Sequence, residues 1–415
     1  MRSTRTISFG RILLVIALVV CIPGISSAAT YNLTAKVMIM NMPEGGPAVT
    51  MWAYALDGGT ATVPGPVLVV PPGDDTLIIN LTNELPVPTS LLIRGQMKSP
   101  LDPAVPVWTD GLTDAVLSTG SRPAGNVTGR VRSFDKETAP TTTVTYTWSG
   151  VKMGTYLYGS GTNMAVQGQM GLYGALKKDA GPLNAYGAPA TAYDDETIML
   201  FHEVDPVIHG HVAADTYGPG KTLTSTIDYH PTYFLINGEA FTDVAPLILD
   251  SLVAGSRALL RFLNAGLETH IPLIYGMYMS QVAEDGIPLN YPLQTYLLTL
   301  APGKTMDAIL QTTSDVTGDI PVFDRRLFLT NDGSSLSGGM MGYLTICVED
   351  PTGLVNDLAD FDGDGDADGE DLVAFFAAYN AALPSADLNG DTLVNDADVI
   401  VFANNFGTFI PTVCP

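Results

Sequence analysis

Basic residues, histidine and cysteine are all scarce in this chain of 415 residues. Nineteen Lys and Arg stand against 43 Asp and Glu, for a formal net charge of −24. So acidic a surface repels nucleic-acid phosphates and anionic lipid headgroups and attracts divalent cations, so no nucleic-acid partner is expected. Long apolar runs are equally rare. The only one, Ile12 to Ile22, is about 11 residues and too short to span a bilayer. No Ser-His-Asp order, phosphate-binding loop or paired-carboxylate motif stands out.

That one run has a purpose at its position. Arg2, Arg5 and Arg11 precede or open it, and Ser26-Ser27-Ala28-Ala29 follows with small residues suited to cleavage. Met1 to Ala29 therefore reads as a secretory signal, with no membrane span expected after its removal. The expected location is secreted or cell-surface. Cys21 leaves with the signal, and only Cys347 and Cys414 remain. In an oxidising compartment these two can pair, closing a loop of about 67 residues and contributing about 4 kcal/mol in the chain-entropy picture.

From Thr30 to Thr345 the chain is rich in Val, Thr, Leu, Tyr, Gly and Pro. Short apolar or alternating runs recur between turn signals: Val67 to Val70, Thr76 to Leu81, Thr143 to Trp148, Leu235 to Asn237, Ala258 to Leu263, Tyr296 to Leu300 and Gly342 to Val348. That pattern predicts β-sandwiches and not a helix bundle. A weak repeat runs through it. Pro71-Pro72-Gly73-Asp74 leads to a strand ending Asn80-Leu81-Thr82-Asn83; Val253-Ala254-Gly255-Ser256 leads to one ending Phe262-Leu263-Asn264-Ala265. Gly154-Thr155-Tyr156 and Gly318-Asp319-Ile320-Pro321 pair off further along. Two copies of one sandwich are expected, at 30–180 and 234–350, joined by 181–233, which carries a strand-like run at Thr197 to His202. After Asp350 the composition turns to Asp, Gly, Asn and Ala. This predicts a linker at 351–358, a separate module at 359–407 and a tail at 408–415.

Gly65-Pro66-Val67-Leu68-Val69-Val70-Pro71-Pro72-Gly73-Asp74, Glu84-Leu85-Pro86, Pro88-Thr89-Ser90, Gly154-Thr155-Tyr156-Leu157-Tyr158 and Gly171-Leu172-Tyr173-Gly174-Ala175-Leu176 resemble the first domain of multicopper oxidases. Phe234-Leu235-Ile236-Asn237-Gly238, Phe262 to Glu268, Val282-Ala283-Glu284-Asp285-Gly286 and Ala301-Pro302-Gly303-Lys304 resemble a later domain of that family. The resemblance covers Pro64 to Thr345 and implies cupredoxin-like Greek-key sandwiches. It also implies copper on four His-X-His pairs and a Cys, because imidazole and thiolate are the donors copper prefers. Those donors are missing. The first pair falls on Leu92 and Arg94, the second on Gly159-Ser160-Gly161, and the third on Leu273 and Tyr275, although His270 is nearby. The fourth, His-Cys-His, falls on Phe323-Asp324-Arg325. Met340 or Met341 fits the axial position. A guanidinium has no lone pair to give a cation, so copper is doubtful.

Two weaker metal candidates remain. His209-Gly210-His211 with His202 and Glu203 could hold one Zn or Cu, against the plainer reading of a polar loop. Met38, Met40 and Met42 lie on one face of a strand and could hold Cu(I), against the plainer reading of core packing.

The C-terminal module carries a full donor set. In Asp360 to Asp371, the ligands Asp360, Asp362, Asp364, Asp368 and Asp371 take positions 1, 3, 5, 9 and 12, with the carbonyl of Asp366 at 7 and Gly365 at the sharp turn. In Asp387 to Asp398 they are Asp387, Asn389, Asp391, Asn395 and Asp398 with the Leu393 carbonyl, but the turn position is Thr392, which predicts a weaker site. Helices are expected at Leu372 to Tyr379 and Val399 to Phe406. The paired loops with Asp at position 12 resemble dockerin type I repeats, EF-hand-like modules; that resemblance implies two calcium ions and a cohesin-like extracellular partner.

The expected molecule is mainly β: two cupredoxin-like Greek-key β-sandwiches, then a small α-helical dockerin-like calcium-binding domain. The expected function is an exported binding or structural component. The alternative is a copper-dependent oxidoreductase with a rearranged or reduced site, for example one built from His202, His209 and His211 with methionines. A third reading, a carbohydrate-active partner in a dockerin assembly, rests on the dockerin resemblance alone.

Overall fold

The computed structural model describes residues 28–108, 131–218, 220–227, 229–314, 316–332, 338–348, 361 and 369–405. The expected signal up to residue 27, the tail, the linker and most of the first calcium loop lie outside them. Among the described residues no helix is long and apolar enough to cross a membrane.

Alternating burial builds the first sandwich. β1 (Ala28–Asn41), β2 (Ala48–Leu56), β3 (Ala61–Thr62), β5 (Thr76–Asn83) and β9 (Thr143–Ser149) form one sheet in the order β3-β2-β1-β5-β9. β5 buries Leu77, Ile79 and Leu81 and turns the intervening residues outward, the two-residue period of a half-buried strand. β4 (Gly65–Val70), β6 (Leu92–Ile93), β10 (Gly154–Gly159) and β11 (Tyr173–Lys178) form the facing sheet, ordered β4-β11-β10-β6. β7 (Val107–Trp108) and β8 (Val131–Ser133) make a small side pair, and α1 spans Met164–Gln167. Between the sheets pack Leu33, Tyr54, Leu68, Leu77, Trp148 and Leu176, among others. β1 begins within the expected signal, because its parallel ladder with β5 runs from Ala28 opposite Thr76.

The second sandwich repeats this plan. β12 (Asp195–Val204), β13 (Tyr233–Ile236), β15 (Arg257–Asn264), β17 (Met279–Glu284), β18 (Ile287–Thr295) and β19 (Thr305–Gln311) form the sheet β13-β12-β15-β19-β17-β18. β14 (Ile248–Val253), β16 (Pro272–Ile274), β20 (Gly318–Asp324) and β21 (Met341–Cys347) form β14-β21-β20-β16. β1 runs parallel to β5 as β12 does to β15, and β4 parallel to β11 as β14 does to β21. Within the joining segment 181–233, the strand-like run at Thr197 to His202 lies in β12, which pairs into the second sandwich and is followed by α2 (Pro206–Ala213). The strand expected at Tyr296 to Leu300 is instead a bridging segment. It touches Leu273 and His270 through single bridges at Leu297 and Leu300 and forms no continuous ladder.

Charge and close backbone approach join the two sandwiches. Arg261 of β15, fully buried, donates to Asp179 (2.5 Å), Glu196 (3.0 Å) and Thr155 (3.0 Å), with Asp307 at 3.9 Å. Asp307 also accepts from Thr155 and Tyr186. Gly154, at the start of β10, lies against Gly286 in the β17–β18 turn; a Cβ at Gly286 would meet the Tyr156 hydroxyl at 2.1 Å. Met42 and Met51, with Met38 and Met40 beside them, pack with Tyr233, Leu235 and Leu263 in a shared apolar cluster, so the methionine face is part of a core.

C-terminal helices α3 (Gly369–Asn380) and α4 (Asp396–Asn405) pack around Phe375, Ala378, Ala386 and Phe402. Phe375 and Phe402 stack at 4.2 Å, within 3° of parallel. Cys347 is buried and disulfide-bonded, and Cys414, its expected partner, lies outside the described residues.

Candidate functional site: the metal positions

Two asparagines fix the correspondence between the sandwiches. Buried Asn83 accepts from the Leu85 N–H and donates to the carbonyls of Val87 and Thr138. Buried Asn264 accepts from the Gly266 N–H and donates to the carbonyls of Glu268 and Leu300. Six residues after each, Thr89 pairs with Thr138 and His270 with Leu300 in two-way backbone bonds. Arg94 N–H then bonds Leu157, as Tyr275 N–H bonds Pro321. Thr89 thus matches His270, Leu92 and Arg94 match Leu273 and Tyr275, and Ser160 matches Asp324.

The structure places the copper-type positions at matching rims. Leu92, Arg94 and Gly159 line a cavity of ≈ 20 Å³ with Ser160, Met164 and Tyr173. In the second sandwich, Tyr275 and Arg325 are exposed, and Leu273 and Phe323 pair across β16 and β20. None of these side chains carries an imidazole or thiolate donor.

Behind each rim lies a filled pocket. In the first sandwich it is neutral: Thr89 and Ser160 both donate to the Gln167 side-chain oxygen, at 2.8 and 2.6 Å, and Gln167 donates to the Pro88 carbonyl. Ser90, Ser133 and Thr162 share further hydroxyl contacts. In the second it is ionic. His270 Nδ1 lies 2.7 Å from Asp324 and Nε2 lies 2.5 Å from Glu203, all three fully buried. Asp324 also accepts from the N–H groups of Ile271 and Arg326; Glu203 accepts from Leu267, Glu268 and the Tyr229 hydroxyl. Burial alone would lower the His270 pKa, but its hydrogen bonds to Asp324 and Glu203 and their charges outweigh it and raise it to about 9. Burial lowers neighbouring His202 to about 3, helped by His270 and His209.

The alternative cluster does not assemble. His209 Nδ1 bonds the Thr50 carbonyl and His211 Nδ1 bonds Thr216. His202 Nδ1 bonds Tyr173, and its Nε2 finds no partner among the described residues. Among the described residues no group of three or more His, Cys, Asp or Glu is arranged to hold a metal ion. Imidazole nitrogens point away from each other, so Glu203 and Asp324 sit on opposite sides of the ring, and no single point is near both carboxylates.

Of the first calcium loop, Asp360, Asp362, Asp364, Asp366 and Asp368 lie outside the described residues. Asp371, buried, accepts from the Phe361 N–H at 2.6 Å. The second loop is described throughout. Asp387 accepts from Gly390, Asp391 and Thr392, Asn389 and Asp391 from the residues two ahead, and Asp398 from Asn395, Leu388 and Asn389. Those amides hold the Asp398 carboxyl below the usual carboxylate range, Asn395 foremost. Thr392 takes φ +72°, the left-handed turn for which its side chain is ill suited. Asn395 and the Leu393 carbonyl bond each other at 3.3 Å.

Sequence reasoning singled out His270 but missed its partners. The signal was there: Asp324 stands where the resemblance expects cysteine.

No family model matches the chain. By sequence it is 27% identical to Laccase-8 of Oryza sativa subsp. japonica over 312 residues, 72% of this chain and 48% of that protein. It therefore spans about half the length of the curated relative it matches. A blue copper oxidase from Nitrosomonas europaea is similar in structure, with TM-score 0.56, 20% identity and coverage of 77% of this chain and 86% of that one. So are the multicopper oxidase mgLAC (0.54, 21%, 79% and 89%) and the copper nitrite reductase of Nitrosomonas europaea (0.52, 19%, 77% and 94%). These likenesses show a cupredoxin-like multicopper-oxidase fold.

Proposed function

We propose that this chain is an exported, multicopper-oxidase-like protein that works as a binding or structural component without redox copper. It docks to an extracellular, cohesin-like partner through a calcium-loaded dockerin-like module. One observation carries the first half: His270, the histidine nearest the third copper-type pair in sequence, has both ring nitrogens held by carboxylates. The residues at the aligned positions, Leu92, Arg94, Gly159, Gly161, Leu273, Tyr275, Phe323 and Arg325, do not fit copper, and no step through copper is derived. For the second half, Asp387, Asn389, Asp391, Asn395, Asp398 and the Leu393 carbonyl follow the order of a calcium loop, and both flanking helices pack on one small core. In the absence of an assembled cage, calcium has to displace the loop's internal hydrogen bonds, which favours the weak affinity of extracellular loops, about 10⁻⁴ to 10⁻³ M. Secretion rests on the N-terminal pattern alone.

The likeness to a laccase favours a second reading, a copper-dependent oxidoreductase with a rearranged site. Oxidation of phenols and of metal ions, assayed with added copper, separates the two. The first reading expects no turnover; copper-dependent turnover that disappears on substituting His209 and His211 would establish the second.

A further inference from the structure

The ionic pocket of the second sandwich has a charge problem that the first does not. Glu203 and Asp324 are both buried, and both accept backbone amides, which settles hydrogen bonding but not charge. Gly266 makes room: a Cβ there would lie 2.0 Å from Glu203 Oε2. The charged and titratable groups around the ring are few. On β12 they are Glu203 and His202, the latter bonded to Tyr173 of β11. At the end of β20 there is Asp324; Tyr229 reaches Glu203 from the loop before β13. Arg326 is near but exposed, bonded to Glu268 and lying 4.8 Å over the Phe328 ring. Phe201 and Phe328 close the remaining sides of His270, at 5.8 and 5.9 Å. Among the described residues, the cation that touches both carboxylates is the imidazolium of His270 itself.

We infer that Glu203, His270 and Asp324 form a proton-charged cross-link that does for the second sandwich what a bound metal would do, tying β12, the segment after β15 and β20 together and loosening in alkaline solution. This rests on the copper-free reading above. In the first sandwich the matching positions, Thr89 and Ser160, are tied by neutral Gln167, so no such response is expected there.

The direction follows from linkage. His270 is raised from 6.5 to about 9, so its contribution is fully present below its unfolded pKa and is lost as pH rises through about 9. The shift corresponds to a roughly 300-fold preference for the protonated ring in the folded state.

The test is histidine NMR on the full chain with ¹⁵N-labelled imidazoles, with urea unfolding across the same pH range for the wild type and His270→Gln. The expected result is a His270 titration well above the ordinary histidine range. The wild type should also lose folding equilibrium constant by roughly 100-fold between pH 6.5 and 9.5 relative to His270→Gln. A His270 that titrates near its ordinary value overturns the inference, and the NMR arm alone decides it if the variant does not fold. Copper content is measured on the same samples. Copper-free protein with an ordinary His270 refutes the cross-link alone, whereas stoichiometric copper refutes the copper-free reading as well.

Discussion

Replacing Arg261 with methionine should weaken the union of the two sandwiches more than almost any other single change. The guanidinium is fully buried and serves three carboxylates, Asp179, Glu196 and Asp307, two from the second sandwich and one from the first. Methionine fills similar volume, so packing is nearly kept and the loss is electrostatic. Removing one partner of a buried ion network typically costs about 3–5 kcal/mol, because the remaining charges are left uncompensated. Lys177 still pairs with Glu196 at 2.6 Å, which puts the expectation in the lower half of that range. For domains of this size that is a fall in Tm on the order of 10 °C, read by calorimetry. A pH signature comes with it. Burial raises the Asp307 pKa even with Arg261 in place, so without the arginine Asp307 should prefer its protonated form. A carboxyl whose folded pKa is raised favours folding below its unfolded pKa and loses that contribution as pH rises through its folded value. The variant's deficit should therefore shrink toward about pH 4. Asp307→Asn should rescue part of the loss, with a coupling of about 0.5–3 kcal/mol in a double-mutant cycle. A deficit under about 1 kcal/mol, with no pH trend, would refute the reasoning.

Asn83→Ala and Asn264→Ala each remove three hydrogen bonds from a buried strand exit. Each should cost about 1–3 kcal/mol in denaturant unfolding, and since the sites are in different sandwiches the losses should add; a neutral variant at either site would break the correspondence. Thr392→Gly relieves a left-handed backbone position by about 1 kcal/mol and should tighten calcium at that loop about fivefold by calorimetric titration, while an unchanged affinity would mean that the turn does not limit binding.

The sandwiches were legible because burial on one face writes a two-residue period, as in Leu77, Ile79 and Leu81 of β5. The repeat was legible from its two Asn exits, because a buried asparagine that ties three backbone groups leaves a fixed residue at a fixed place. Tyr296 to Leu300 was misread because an apolar run satisfies the strand pattern whether it holds a ladder or only single bridges. Ala28 and Ala29 read as part of the expected signal, while their pairing with Thr76 and Leu77 is a contact no local pattern records. The ionic pocket was half legible. Asp324 was visible as the residue in place of cysteine, but Glu203 lies 67 positions from His270 and only the β12–β15 pairing brings it there. The network around Arg261 was not foreseen for the same reason: its partners, three carboxylates and the Thr155 hydroxyl, come from four separate segments of chain.

Under the proposed function, protein side chains fill the copper positions of this fold and metal binding is confined to the C-terminal loops. Elemental analysis of the purified full chain, after equilibration with calcium and copper and exhaustive dialysis against millimolar calcium, tests this most directly. Calcium approaching two ions per chain, copper near zero and no visible absorption are expected; copper at one or more ions per chain with a visible band would overturn the proposal.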